Sequence, residues 1–407
     1  MLVFVSDLHL TDKSFPPAIP VPRLIDAVNG LFEHAKARGV ERAQLVLLGD
    51  IFEIIKSPRW LADELRPWDS PITDAHRDRV EEIFDAICRA NPTFVGWLKT
   101  LPTLFPFVSL CYIPGNHDLA VNTDMGLTVR PKLRAMLSRT VNTDLFDTTF
   151  EDADHSVLAV HGHEWDLNNR TGARGGPFGD AIVVEVLVRL PHRMETLGTA
   201  RADIGFLFEI DNVRPQTPKT MSRWVETGLV ELQRKNRDAI AKYEVVFDEI
   251  LARLLALGRA NIFERNRYSS TWSRAMTWAG SKAVRLAGPR RAARLFPMKE
   301  GDGYYATPAR NLLKKAANPQ RFVLCGHTHI PEHVPLTVGA RGSAPSLYLN
   351  TGTWRRVHRP TRAGKAGAKS AAFMSYQEEC LAVIYNADEQ RLGFPSYELR
   401  RTTHGLD

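Results

Sequence analysis

Cysteine is scarce in this chain. Its 407 residues include four, Cys88, Cys111, Cys325 and Cys380, and no two form a CxxC pair. A disulfide framework is therefore not expected, and a reducing cytoplasm fits. Cys111 and Cys325 lie in apolar, strand-like runs, where buried free thiols are common. Long apolar stretches are also missing. A membrane-spanning helix needs roughly 18 apolar residues, and the nearest run, AIVVEVLVRL (181–190), is shorter and charged. The opening MLVFVSDLHL has no basic stretch ahead of an apolar one, so it does not read as a signal peptide. Acidic residues are absent from 265–299, which holds nine Lys or Arg.

What is present reads as a globular enzyme: 44% hydrophobic and 24% charged, with a formal net charge of +7. The positive balance favours anionic partners without choosing among them. The length exceeds what one compact core usually needs, so an insertion or a second domain is expected.

Two patterns alternate in the first half. Apolar, β-rich runs occur at 2–5, 43–48, 107–113 and 156–160. Between them, 22–39, 73–90 and 130–139 carry apolar residues at helical spacing, with Pro22 and Gly39 as start and stop signals and Thr73 as an N-cap. This alternation predicts an α/β architecture with helices covering a sheet. After 165 the pattern breaks into a Gly/Arg-rich loop and then a helical, basic stretch. Strand signals return at 321–325, 346–350 and 381–386. The expected organisation is a core in two parts, 1–165 and 319–407, split by a helical basic insertion over 166–318.

The residues that follow the strands carry the chemistry. The apolar runs end in Asp7-Leu8-His9, Gly49-Asp50, Gly115-Asn116-His117-Asp118, His161-Gly162-His163 and Gly326-His327-Thr328-His329. Ligands of open α/β sheets gather at the carboxyl ends of strands, so five such endings on one face converge. Carboxylates, imidazoles and an amide without a thiolate suit manganese, iron or zinc in a catalytic setting. Asp7, His9, Asp50, Asn116, His161, His327 and His329 are too many ligands for one ion and suit two ions that share a carboxylate. Gly49, Gly115 and Gly326 would let the backbone turn where a Cβ would crowd the ions. His163 could swap roles with His161 but is read as an outer support or a surface group, and Glu164 and Asp166 as turn residues or outer acceptors. Asn350, Thr353 and Trp354 are read as shaping a turn.

Taken in order, these five motifs resemble the calcineurin-like metallophosphoesterase superfamily. The resemblance covers the core and not the stretch from about 166 to 318. It implies two packed mixed β-sheets flanked by helices. It also implies one divalent ion on Asp7, His9 and His329, a second on Asn116, His161 and His327, and Asp50 shared by both. Manganese is the foremost candidate, with iron or zinc as alternatives. His117 would serve the leaving group or a phosphate oxygen, and Asp118 would orient His117. The implied activity is hydrolysis of a phosphomonoester, phosphodiester or pyrophosphate by metal-activated hydroxide, with no covalent phosphoenzyme.

GDIFEI (49–54) has no Arg soon after Gly-Asp, unlike the serine/threonine phosphatases of this superfamily. With SDLHL (6–10) and YLNTGTW (348–354) it is similar instead to UDP-2,3-diacylglucosamine pyrophosphatase-like enzymes and some nucleases. A catalytically silent scaffold of the same fold is the reading from another class, and such scaffolds typically lose ligands that this chain keeps. TWSRAMTWAGSKAVRL (271–286) places Trp272, Met276, Ala279 and Ala283 on one helical face and Arg274, Lys282 and Arg285 away from it. Residues 265–299 could therefore meet an anionic membrane surface, cap the site, contact nucleic acid, or present a basic outer face. The localisation expected is cytoplasmic, with peripheral membrane contact left open.

Overall fold

The computed structural model describes residues 1–166, 168–170, 176–260, 305–316, 320–337, 345–361 and 373–405. The expectation for 265–299 lies outside the described residues.

Two mixed β-sheets form the centre. In the first, β1 (Leu2–Val5), β2 (Ala43–Leu48) and β3 (Val108–Ile113) run parallel. The strand β10 (Phe373–Tyr385) pairs antiparallel with β1, and β11 (Ser396–Gly405) and β9 (Arg356–Pro360) pair antiparallel with β10. The second sheet has the order β4 (Thr149–Asp152), β5 (Val157–Val160), β6 (Phe322–Cys325), β8 (Ser346–Asn350), β7 (Glu332–Thr337), with β5, β6 and β8 parallel.

Side chains alternate across each strand, and both faces of the first sheet are covered. Leu2, Phe4, Val46, Leu48 and Ile113 meet Phe150, Val157, Ala159, Phe322 and Leu324 between the sheets. Val3, Val5, Leu45 and Leu47 face the other way, onto α1 (Val21–Ala37), α2 (Asp74–Ala90) and α3 (Pro92–Leu104). Phe4 and Phe322 are fully buried, and burial of such a side chain is worth about 2 kcal/mol. The edge strands β4, β7, β9 and β11 and the helix α3 were not expected from sequence.

Between β5 and β6 the chain is helical where it is described. The helices Arg189–Thr196, Pro218–Lys235 and Arg237–Ala260 enclose Leu187, Leu190, Met194, Phe208, Leu232 and Ile250. Glu185 ties this layer to the core. Its buried carboxylate meets Arg66 Nε at 2.8 Å, Arg189 Nε at 2.6 Å and Arg253 Nε at 3.1 Å. A second tie runs through His358 on β9. Val213 forms a parallel bridge with it, Arg214 N donates to its carbonyl at 2.9 Å, and Trp224 stacks on its ring at 4.3 Å. No described helix is long and apolar enough to cross a membrane. All four cysteines are free thiols.

Candidate metal centre

The five parallel strands β1, β2, β3, β5 and β6 each release the chain into a turn at their carboxyl ends, and the turns meet. Among the described residues, three groups of side chains have ligand atoms within 4.8 Å of one another: Asp7, His9, Asp50 and His329; Asp50, His161 and His327; and His9, Glu53 and His117. The first two share Asp50. Its Oδ2 lies 3.6 Å from His9 Nε2 and 3.3 Å from His161 Nε2. Asn116 joins the second group, with Oδ1 3.0 Å from His327 Nδ1. All seven residues expected as ligands are therefore in one place.

The backbone is bent to bring them there. Nine non-glycine residues among those described have positive φ, and five are Asp7, His9, Asp50, His327 and His329. Each such residue costs on the order of 1 kcal/mol. Concentration of that cost in ligand-bearing turns marks a site that the rest of the fold supports. The turns also pack closely. A Cβ at Gly49, whose φ is +82°, would overlap the His161 ring, and one at Gly326 would overlap the Asp7 carboxylate.

Hydrogen bonds fix which nitrogens face inward. His161 Nδ1 donates to Leu48 O at 2.9 Å, and His9 Nδ1 donates to Glu53 Oε2 at 2.6 Å. Both rings thus turn Nε2 to the centre. His161 Nε2 is buried and makes no hydrogen bond, and His9 Nε2 lies 3.0 Å from His329 Nε2. Two imidazole nitrogens at that separation beside the carboxylates of Asp7 and Asp50 are a donor set for cations. Asp166 accepts from His327 Nε2 at 3.3 Å and so holds that ring in place.

Glu53 was not among the residues expected in the site. Its buried carboxylate accepts from His9 Nδ1 and, at 2.5 Å, from His117 Nδ1. It was present in the sequence as the acid of GDIFEI, three residues past Asp50, but only the fold shows that it holds two histidines. The expectation that Asp118 orients His117 is corrected. Asp118 accepts from the main-chain N–H groups of Gly115 at 2.6 Å, Ile51 at 2.9 Å, and Asp50 and Phe52 at 3.3 Å. It is enclosed among amides at the β2 and β3 turns and braces the loop that carries Asp50. His163 is buried, not a surface group. Thr353 Oγ1 donates to Asp7 O at 2.8 Å and Asn350 Nδ2 donates to Gly326 O at 2.7 Å, so both brace ligand turns.

The electrostatics follow from this packing. Burial opposes a charge on His117, but Glu53 and Asp50 outweigh it and raise the imidazole to about 10. His161 is also raised to about 10, against burial, by Asp50 and Asp7. Asp7 falls to about 2 despite burial because His329 and His161 stabilise its charge. Burial, with Asp50 nearby, raises Asp118 to about 6. Burial together with His161 and His327 pushes His163 down to about 3. The centre thus balances buried carboxylates against protonated imidazoles, and the same carboxylates would favour metal cations in place of those protons. No family model and no curated protein matches this chain.

Proposed function

We propose that this chain is a phosphoric ester hydrolase that uses two divalent metal ions, and a member of the calcineurin-like metallophosphoesterase superfamily. The observation that carries the reading is the meeting of seven donor side chains in two groups that share Asp50. Asp7, His9 and His329 would hold one ion and Asn116, His161 and His327 the other. Manganese is the first candidate, with iron or zinc as alternatives, because the donors are carboxylate, imidazole and amide.

The chain's residues fit that role on chemical grounds. Nδ1 of His9 and of His161 is committed to an acceptor, which fixes the tautomer that a ligating Nε2 requires. Two divalent cations supply Lewis acidity at such a centre, neutralising phosphate oxygens and acidifying water. His117 is not one of the seven donors. Its Nδ1–H is held by Glu53, so Nε2 is the atom left to meet a substrate oxygen. As an imidazolium it stabilises charge that develops on the phosphoryl group, or passes its Nε2 proton to the leaving oxygen. Glu53 keeps that ring charged and oriented. Asp118 holds the Asp50 loop and touches no substrate.

The substrate class is an anionic phosphate ester or anhydride, consistent with the net charge of +7. A cytoplasmic location, and contact of residues 265–299 with an anionic membrane or nucleic acid, belong to the same proposal. Purified protein with Mn²⁺ should hydrolyse 4-nitrophenyl phosphate or its bis ester, and chelation should abolish the activity. No turnover of either ester with Mn²⁺, Fe²⁺ or Zn²⁺ would overturn the assignment.

A further inference from the structure

A cluster of buried cations lies against the metal centre and takes no part in the mechanism above. Lys56, Arg214 and Arg355 are each 3% exposed. They gather around one carboxylate, Asp211, which accepts from Lys56 Nζ at 3.0 Å and from Arg355 Nη2 at 2.9 Å through the same Oδ2. Arg214 Nη1 donates to the main-chain carbonyls of Asp211 at 2.7 Å and Val213 at 2.9 Å. Its Nη2 hydrogen-bonds His329 Nδ1, so the cluster begins where the metal donors end. Arg355 follows the turn whose Thr353 holds Asp7 O.

One oxygen of Asp211 serves both Lys56 and Arg355. Glu53 and Glu209, whose charges also favour that of Arg355, make their hydrogen bonds elsewhere: Glu53 with His9 and His117, and Glu209 with Arg356 and His358, each at 3.2 Å. Nε and Nη1 of Arg355 are buried and meet no acceptor among the described residues. A buried guanidinium with two unsatisfied nitrogens is costly unless an acceptor completes it. Its planar fork matches the paired oxygens of a phosphate or carboxylate. The cluster is also built in place. Asp211 and Arg214 come from the helical segment that Val213, Arg214 N and Trp224 pin to His358, while Lys56 and Arg355 come from the core.

We propose that Lys56, Arg214 and Arg355 form a subsite for a second anionic group of the substrate, beside the phosphoryl group under attack. The inference rests on the hydrolase reading and narrows it. The preferred substrate carries two neighbouring anionic groups, as a diphosphate does, and not an isolated phosphate ester.

Two non-hydrolysable phosphonates test this by calorimetry on the full chain with bound and slight excess Mn²⁺. Methylphosphonate carries one anionic group, and phosphonoacetate adds a carboxylate to it. The wild type should bind phosphonoacetate at least tenfold more tightly. Arg355→Gln and Lys56→Gln should each reduce that ratio below threefold, while Arg355→Lys, which keeps the charge, retains an intermediate ratio. Thermal midpoints and manganese content of the same samples identify variants that have lost the fold. A wild type that holds manganese but shows a ratio near one overturns the subsite and leaves the hydrolase reading standing. So do variants that weaken both ligands equally. A wild type that takes up no metal overturns both.

Discussion

Glu53 Oε1 accepts a hydrogen bond from His117 Nδ1 at 2.5 Å, while its other oxygen serves His9. One carboxylate therefore couples the proposed phosphate-facing histidine to a proposed metal ligand. Glu53→Gln should lower kcat with a 4-nitrophenyl ester by roughly 10–100-fold and weaken metal binding by a comparable factor. Steady-state kinetics and a manganese titration read the two effects. Loss of neither would show that Glu53 only fills space.

His117 separates chemistry from metal binding. Its side chain belongs to neither group that shares Asp50. His117→Asn should reduce kcat by about 10²–10⁴-fold, the usual range for a positioned acid–base group, with manganese content unchanged by elemental analysis. If that variant loses its metal, His117 is a ligand and the division of roles is wrong.

Glu185 fastens the helical layer to the core through Arg66, and both side chains are buried. Removal of one member of a buried ion pair leaves the other uncompensated, at a cost of about 3–5 kcal/mol. Glu185→Ala should lower the urea midpoint accordingly. A shift worth less than about 1 kcal/mol would show that Glu185 does not anchor the helical layer.

A pH dependence follows from Glu209. Burial opposes its ionisation, but His358, Asn212 and Arg356 bring the carboxyl down to about 2 in the folded chain. An unfolded glutamate titrates near 4.3, as a rough reference. A depressed folded value means that the stabilisation is fully present above the unfolded value and is lost as pH falls through the folded one. Glu209→Gln should therefore cost on the order of 2 kcal/mol at pH 6, with the gap to wild type shrinking between pH 5 and pH 2. Urea unfolding at stepped pH measures it. A gap independent of pH would show that the ion pairs contribute nothing.

Much of the centre was legible because its ligands follow strands. Each of Asp7, Asp50, Asn116, His161 and His327 stands within three residues of an apolar run, so local pattern located them. Glu53 was harder to see, since its importance lies in the distance to two rings and not in its neighbours. Asp118 misled because adjacency to His117 suggested contact, whereas the turn sends its carboxylate back into main-chain amides. The cations around Asp211 were invisible for a different reason. Lys56, Arg214 and Arg355 are far apart in sequence and share no motif, and only tertiary packing brings them together. The short edge strands β4 and β9 lack a continuous apolar run, because one face of each is only partly covered.

The account stands or falls on metal stoichiometry. Elemental analysis of the purified chain, equilibrated with Mn²⁺ and freed of excess, should give two ions per chain for the wild type and at most one for Asp50→Ala, with circular dichroism unchanged. A wild type that retains no manganese, iron or zinc, or an Asp50→Ala variant that retains two ions, would contradict it.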